Sequence, residues 1–318
     1  MADAQLGTSH LDHRTLASVD SLELRARLIV EGVMIGMHRS PYQGISIEFA
    51  QHRQYASGDD LRHLDWKVFA RSDKLYLKQY QKETNLDLVI LVDGSGSMAY
   101  SSHSGPQWRK YDLAASIAAA LAYLALRQQD RVSIVVFAAG VVTQTRQSNA
   151  RDQWRTVLNT LQSQSKQIGS RPESTNGQSA TDLARVFDQV VARLSQRSVL
   201  VLLSDLFDEP AALERGMAML FHRRHDLMIF QTLDHAELAF PFQGPSLFFG
   251  LESEGRLPVD PAALRQAYLS AFGAHSRRIE ELARRFQYDH LQLDSSQPLG
   301  PALSRFLAGR AASVRRRS

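Results

Sequence analysis

The sequence of 318 residues contains no cysteine. Disulfide bonds and thiolate metal sites are therefore excluded, and a reducing compartment suits the chain. Long apolar runs are also missing, because none approaches the roughly 20 residues that a helix needs to cross a bilayer. Residues 1–5 lack the basic and apolar regions of a secretory signal peptide. We therefore expect a soluble cytoplasmic protein without a membrane span.

A strong charge bias is absent as well. Lysine and arginine together number 37, against 33 aspartates and glutamates, which gives a formal net charge of +4. Much of this excess lies in residues 315–317, three consecutive arginines. A nucleic-acid-binding domain usually carries a larger and more localised basic surface. We expect no nucleic-acid partner, and we interpret residues 311–318 as a solvated basic tail.

The most informative stretch is residues 86–92, in which six of seven residues are aliphatic. Such continuity is typical of a strand buried on both faces of a parallel sheet. The run ends at Asp93, and two glycines then allow a tight turn that carries Ser95 and Ser97. Ligands of open α/β sheets bind at the carboxyl ends of the strands. One carboxylate and two hydroxyls at this edge suit a hard cation such as Mg²⁺.

Apolar runs alternate with helical patterns through the rest of the chain. The predicted strands are 131–137, 198–203, 226–234 and 288–293, and the predicted helices are 110–129, 152–161, one from 183, 210–223, 261–286 and 298–307. This alternation predicts a doubly wound, mostly parallel central sheet flanked by helices. Residues 141–146 are expected to return as an antiparallel edge strand.

Two polar stretches interrupt this alternation. Residues 163–179 are polar and contain glycine, which predicts a loop. Residues 237–254 contain two prolines and two glycines, and we expect a small hairpin there with residues 246–251 as one arm.

The N-terminal part predicts a helix-plus-strands extension. Residues 1–19 are polar and expected to be loose, residues 19–36 have the spacing of an amphipathic helix, and residues 45–49 and 74–81 alternate like strands. Between these two strands, acids and bases alternate with aromatic residues. Two interpretations stay open for this segment: a packed loop held by Arg–carboxylate pairs, which the residue chemistry favours, or a partner-binding face. The residues concerned are Arg53, Asp59, Asp60, Arg62, Asp65, Trp66 and Arg71.

Several motifs together resemble the family called domain of unknown function 58. They are His38-Arg39-Ser40, Glu48-Phe49, Arg53-x-Tyr55, Gly58-Asp59-Asp60-x-Arg62-x-x-Asp65-Trp66, Ala70-Arg71 and Asp93-Gly94-Ser95-Gly96-Ser97-Met98. The similarity covers roughly residues 20–310 and points to the short soluble branch of the family. It implies a von Willebrand factor A-like domain over 84–310, preceded by a loose tail (1–19) and a family-signature segment (20–83).

The same resemblance implies a metal-ion-dependent adhesion site. Its ligands would be Asp93, Ser95 and Ser97 after one strand, Thr181 before a helix, and Asp205 after another strand. The expected metal is Mg²⁺, with Mn²⁺ or Ca²⁺ as alternatives, and one coordination position would take an acidic residue of a protein ligand. The family further implies a MoxR-type AAA+ ATPase as partner, and a role in the assembly or activation of protein complexes.

Two other hypotheses remain beside this non-enzymatic one. Aspartates and serines also end strands and cap helices without binding metal, and the signature segment alone could bind the partner. Alternatively, Asp93 could be the nucleophile of a Mg²⁺-dependent phosphotransferase. Such enzymes normally place a second aspartate two residues later as the general acid, but this chain has Ser95 there. We therefore do not expect an enzyme.

Overall fold

Two units make up the chain in the computed structural model, which describes residues 13–38, 52–54, 76–78, 86–102, 108–168, 182–251 and 255–307. One unit combines Met1–Ser40 with Leu86–Ser318, and the other is Pro41–Asn85. The predicted boundary between residues 83 and 84 lies outside the described residues and stays a prediction. The helix predicted at 19–36 belongs to the unit that contains the central sheet.

The described part of the smaller unit is a pair of short antiparallel strands, β1 (His52–Gln54) and β2 (Tyr76–Lys78). Arg53 lies opposite Leu77 in this pair. The strand predicted at 74–81 is therefore present over its middle, and the strand predicted at 45–49 lies outside the described residues.

The described part of the larger unit starts with two helices, α1 (His13–Ala17) and α2 (Leu22–His38). The hydroxyl of Ser21 caps α2, because its Oγ accepts a hydrogen bond from the Leu24 amide at 3.3 Å. One face of α2 is buried, as the spacing predicted: Leu22, Ala26, Ile29, Val30 and Val33.

Among the described residues, the central sheet has six strands: β3 (Asp87–Asp93), β4 (Arg131–Phe137), β5 (Val141–Gln144), β6 (Val199–Ser204), β7 (Asp226–Leu233) and β10 (Asp289–Asp294). Their spatial order is β10-β7-β6-β3-β4-β5. All neighbours pair in parallel except β5, which runs antiparallel to β4. The predicted fold class is thus confirmed, with β3 in the interior of the sheet.

Helices cover both faces of this sheet and explain its continuous apolar strands. On one face, Leu88, Ile90 and Val92 of β3 pack in a core with α2, with α3 (Lys110–Arg127) and with α4 (Gln153–Gln167). On the other face, Val89 and Leu91 pack against α5 (Leu183–Val191), α6 (Pro210–His222) and α8 (Pro261–Arg285). Both faces of β3 are therefore buried, as its aliphatic sequence predicted.

Two local predictions need correction. Helix α4 runs to Gln167, so residues 163–167 are helical rather than part of a loop, because Leu161 and Gln164 continue the buried side of the helix. The stretch predicted as a hairpin begins with a short helix, α7 (His235–Ala239). The hairpin itself pairs β8 (Ser246–Phe249) with β9 (Arg256–Val259). Residues 299–307 form the last described helix, and within the described residues no helix is both long and apolar enough to cross a membrane.

Candidate functional site

Carboxylates collect where the parallel strands end. Asp93 is the last residue of β3, Asp205 directly follows β6, Asp234 follows β7, and Asp294 ends β10. Because parallel strands have their carboxyl ends at the same edge, all four lie along one side of the sheet. The two that the sequence singled out, Asp93 and Asp205, belong to adjacent strands.

Asp93 is held from two directions and is only 2% exposed. Its Oδ1 accepts a hydrogen bond from the Ser95 amide at 2.9 Å, and its Oδ2 accepts one from the Ser204 hydroxyl at 2.6 Å. Burial, together with the nearby charge of Asp205, raises the pKa of Asp93 to about 7, although the two hydrogen bonds act in the opposite direction. When Asp93 is ionised, a nearby cation stabilises its buried carboxylate.

The turn after β3 needs glycine because the chain passes very close to β4. The amide of Gly94 donates a 2.7 Å hydrogen bond to the carbonyl of Phe137. A Cβ at residue 94 would lie 3.1 Å from Cγ1 of Val136 and 3.3 Å from that same carbonyl oxygen. The turn then brings the hydroxyls of Ser95 and Ser97 to within 3.0 Å of each other. Two neutral oxygen donors therefore converge beside Asp93.

Asp205 has a cationic partner that the sequence did not reveal. The ammonium of Lys110 lies 2.7 Å from Oδ2 of Asp205 and 2.6 Å from Oε1 of Glu237. The Lys110 side chain is fully buried. Burial by itself lowers the pKa of Lys110, but the two carboxylates more than offset this and raise it above its ordinary value. Lys110 is therefore a permanent positive charge inside the site.

Asp208 is a further acid near Asp205, and it is absent from the predicted ligand set. Burial raises its pKa to about 8, and the charges of Asp93 and Asp205 contribute in the same direction. The Leu183 amide, at the start of α5, donates a hydrogen bond to Asp208 and opposes this shift. The sequence signal was present, since Asp208 comes three residues after Asp205 at the end of a buried strand.

For the remaining predicted site residues, the structure describes no side chain. Thr181 is not among the described residues, although its neighbour Asp182 is, and Asp182 caps α5 by accepting a hydrogen bond from the Arg185 amide. For Arg53 only the backbone, in β1, is described. The other six residues of the Arg/Asp segment also lie outside the described ranges: Asp59, Asp60, Arg62, Asp65, Trp66 and Arg71.

An exposed aromatic ring borders the site. Phe207, 47% exposed, follows Asp205 by two residues. Its ring stacks on His275 of α8 with centroids 6.3 Å apart, and it contacts Phe272 edge-on at 6.2 Å. The Lys110 ammonium lies 5.1 Å from the centre of this ring. The loop after β6 therefore places an apolar surface directly beside buried charge.

The residues present fit a divalent cation in their chemistry. The Lys110 ammonium pairs with Asp205 and Glu237, and the charge of Asp205 also acts on Asp93 and Asp208, so acids outnumber cations among the described residues of this desolvated place. Within the described ranges, no three His, Cys, Asp or Glu side chains are arranged to hold a metal by themselves. A cation at this edge would therefore depend on the serine hydroxyls as well as on Asp93, and oxygen-only donors of this kind suit Mg²⁺.

Comparisons with known proteins identify relatives of most of the chain. A family model described as "Protein of unknown function DUF58" matches residues 51–278. An uncharacterized protein of Mycobacterium tuberculosis, Rv1480, is 26% identical over 301 residues, which cover 94% of this chain and 90% of that protein.

Two solved structures are also similar to part of this chain. The conserved hypothetical protein BatB from Bacteroides thetaiotaomicron is 13% identical, with a TM-score of 0.45, and the match covers 71% of this chain and 99% of BatB. The manganese-loaded TRAP protein of Plasmodium vivax is 18% identical, with a TM-score of 0.34, over 46% of this chain and 56% of TRAP.

Proposed function

The chain belongs to the DUF58 family, and we propose on this premise that it is a protein–protein interaction module that binds a divalent metal at the carboxyl edge of its sheet. The observation that carries the proposal is the environment of the Asp93 carboxylate. This carboxylate is almost completely buried, accepts two hydrogen bonds, and lies beside two converging hydroxyls and a second aspartate. A desolvated set of oxygen donors without enough internal positive charge is suited to holding a cation.

Within this proposal, each ligand residue has a distinct part. Asp93 would contribute charge, Ser95 and Ser97 neutral hydroxyl oxygens, and Thr181 a third hydroxyl, as the family resemblance implies. Asp205, already paired with Lys110, would contribute charge from the neighbouring strand. When bound, Mg²⁺ supplies a Lewis-acidic centre that a carboxylate of a partner protein can approach. The metal would have the von Willebrand factor A-like environment that the resemblance implies.

The proposed partner is a MoxR-type AAA+ ATPase, in a role in which the two proteins assemble or activate other complexes. Phe207 supports a protein ligand rather than a small one. Its half-exposed ring, packed on His275 and Phe272, gives an incoming acidic residue an apolar neighbour to pack against. We propose that the encounter takes place in the cytoplasm, because the absence of cysteine suits a reducing compartment.

We propose no catalysis, and nothing favours the phosphotransferase alternative. A nucleophilic Asp93 would need a nearby general acid, which such enzymes normally place two residues later. That position carries Ser95. Asp208 also has a raised pKa, but it accepts a hydrogen bond from the backbone at the start of α5. That contact gives Asp208 a structural partner.

Co-purification tests this function. The full-length chain is incubated with a purified MoxR-type ATPase, in Mg²⁺ or in EDTA, as wild type and as Asp93→Ala. We expect retention of the ATPase only with the wild type in Mg²⁺. Asp188→Ala, which removes an exposed carboxylate from α5, is the control and should behave like the wild type. Equal retention in Mg²⁺, in EDTA and with Asp93→Ala would overturn a metal-bridged contact.

A second pair of variants tests the contact surface. Phe207→Ala should weaken retention of the ATPase, whereas Phe221→Ala on α6 should not, although both rings are 47% exposed. Equal effects of the two substitutions would exclude Phe207 as a specific contact. If metal dependence persisted in that case, the acidic contact alone would carry recognition.

A further inference from the structure

A lysine ammonium is shared by two carboxylates that come from different parts of the fold. Lys110 is the first residue of α3, Asp205 follows β6, and Glu237 lies on α7. The two N–O distances, 2.7 and 2.6 Å, are nearly equal. The Lys110 side chain is fully buried, and the Asp205 side chain is 3% exposed, so water screens this pair very little.

Glu237 is fixed in place independently of Lys110. Its Oε2 accepts a 2.8 Å hydrogen bond from the Asp234 amide, which completes a capping box at the start of α7. Its Oε1 is the atom that accepts from Lys110. In addition, the Tyr268 hydroxyl donates to the backbone carbonyl of Glu237 at 3.0 Å. The position of this carboxylate therefore depends on contacts within α7 and with α8, and not only on its pairing with Lys110.

The shared ammonium and a divalent cation act on the same carboxylate in opposite ways. The positive charge of Lys110 attracts the Asp205 carboxylate and repels a metal ion that would bind the same carboxylate. Glu237 offsets part of this repulsion, because it draws the ammonium toward α7 and adds a negative charge nearby.

We propose that Glu237 is a tuning residue of the metal site: through Lys110 it sets how tightly the Asp93 and Asp205 edge holds a divalent cation. This inference rests on the proposed metal binding but names two residues outside the ligand set.

The two substitutions are expected to act in opposite directions. Glu237→Gln keeps an oxygen that can accept from the Asp234 amide but removes the charge, so Lys110 faces Asp205 alone and metal affinity should fall about tenfold. Lys110→Met keeps an unbranched side chain, one atom shorter, and removes the repulsion, so affinity should rise about tenfold. Both changes lie in the ordinary range of coupling between neighbouring sites. A purely structural role predicts the same direction for both variants.

The experiment measures Mn²⁺ binding by electron paramagnetic resonance of the free ion, on the full chain. The proteins are wild type, Glu237→Gln, Lys110→Met, Asp93→Ala, and Glu214→Gln as control. Glu214 pairs with Arg278 and Arg285 on the surface of α6 and α8, so its loss should leave affinity unchanged. Circular dichroism confirms that each variant is folded.

The outcomes separate this inference from the function on which it rests. Weaker binding by Glu237→Gln with tighter binding by Lys110→Met supports tuning. Unchanged or equally weakened binding in both variants overturns tuning while leaving the metal site standing. Should Lys110→Met not fold, an unchanged affinity in Glu237→Gln is enough to overturn it. Binding that survives Asp93→Ala, or binding in none of the proteins, removes both proposals.

Discussion

The hydroxyl of Ser204 donates a 2.6 Å hydrogen bond to Oδ2 of Asp93, from β6 to the adjacent strand β3. The same hydroxyl oxygen accepts a hydrogen bond from the Leu206 amide at 3.0 Å. That second contact directs the hydroxyl proton toward Asp93. The orientation of the central carboxylate is therefore set by the sheet before any ligand binds.

Ser204→Ala should lower the free energy of unfolding by about 1–3 kcal/mol at pH 8, where Asp93 is ionised, because a buried acceptor loses one of its two donors. Urea unfolding in EDTA measures this. The control is Ser133→Ala on β4, because the Ser133 hydroxyl is buried and has no hydrogen-bond partner among the described residues. Equal losses in the two variants would contradict a specific role for the Ser204 contact.

Asp208→Asn should change how stability depends on pH. The folded protein raises the pKa of Asp208 from 3.8 to about 8, so the unfolded chain ionises this group at lower pH than the folded chain does. Unfolding then releases a proton between about pH 4 and 8, and the wild type loses stability as the pH rises through this window. Asp208→Asn lacks this loss and should gain thermal stability over the wild type between pH 5 and pH 9, in EDTA.

The control for Asp208 is Asp188→Asn, which changes an exposed carboxylate on α5. Its melting temperature relative to the wild type should be the same at both pH values. A difference between Asp208→Asn and the wild type that does not grow with pH would show that burial of Asp208 has no electrostatic cost.

Gly216→Ala should destabilise the contact between α5 and α6. A Cβ at residue 216 would lie 2.4 Å from Cδ2 and 3.0 Å from Cε2 of Phe187, whose ring is fully buried and cannot swing into solvent. Overpacking costs about 1–3 kcal/mol, and alanine returns up to about 1 kcal/mol of helix propensity, so a net loss is expected. Gly140→Ala, with its nearest atom 3.7 Å away on Gln189, should change stability by less than about 1 kcal/mol. Urea unfolding of both variants decides this, and an equal effect would contradict the packing argument.

Arg109→Ala should loosen the end of α4. The Arg109 guanidinium donates to both carboxylate oxygens of Asp112, at 2.9 and 3.0 Å, and to the carbonyls of Ser165 and Ile168 at 3.1 and 3.0 Å. Losing these charge-assisted contacts in a partly buried place should cost about 2 kcal/mol. Arg127→Ala, at the exposed carboxyl end of α3, should cost less than about 0.5 kcal/mol. Equal urea midpoints for the two variants would contradict a stabilising role of the Arg109 hydrogen bonds.

The centre of the fold could be predicted from sequence because its signals are local. Continuous apolar runs marked β3 and β6, and the helical spacing of apolar residues marked α3 and α8. The predicted end of β3 and the residue after β6 also located Asp93 and Asp205 correctly at strand ends, because a parallel sheet fixes where such residues must lie. The fold class followed from this alternation.

The neighbours of those two aspartates could not be predicted in the same way. Lys110 stands in an alanine-rich helix, and nothing within that helix indicates that its ammonium meets Glu237 from a segment far along the chain. Asp208 looks like an ordinary loop acid until its burial is seen. Contacts of this kind depend on how separate elements pack, which the local pattern does not encode.

Loop predictions failed for a related reason. Residues 163–167 have a polar composition, yet they continue α4, because Gln164 is buried on the same side of the helix as Val157 and Leu161. Amphipathic spacing mattered more there than average polarity. The short helix α7 was missed because the prolines and glycines after it dominated the composition of the predicted hairpin.

The order of the strands has a consequence for biosynthesis. β3 leaves the ribosome before either strand that flanks it in the sheet, and β6 follows only after β4, β5, α4 and α5 have been made. During that interval the apolar strand β3 lacks its partner on one side, and exposed apolar strands of this kind are prone to aggregate. Asp93 and Asp205 become neighbours only when β6 pairs with β3, so binding at this edge would report that these two strands have joined.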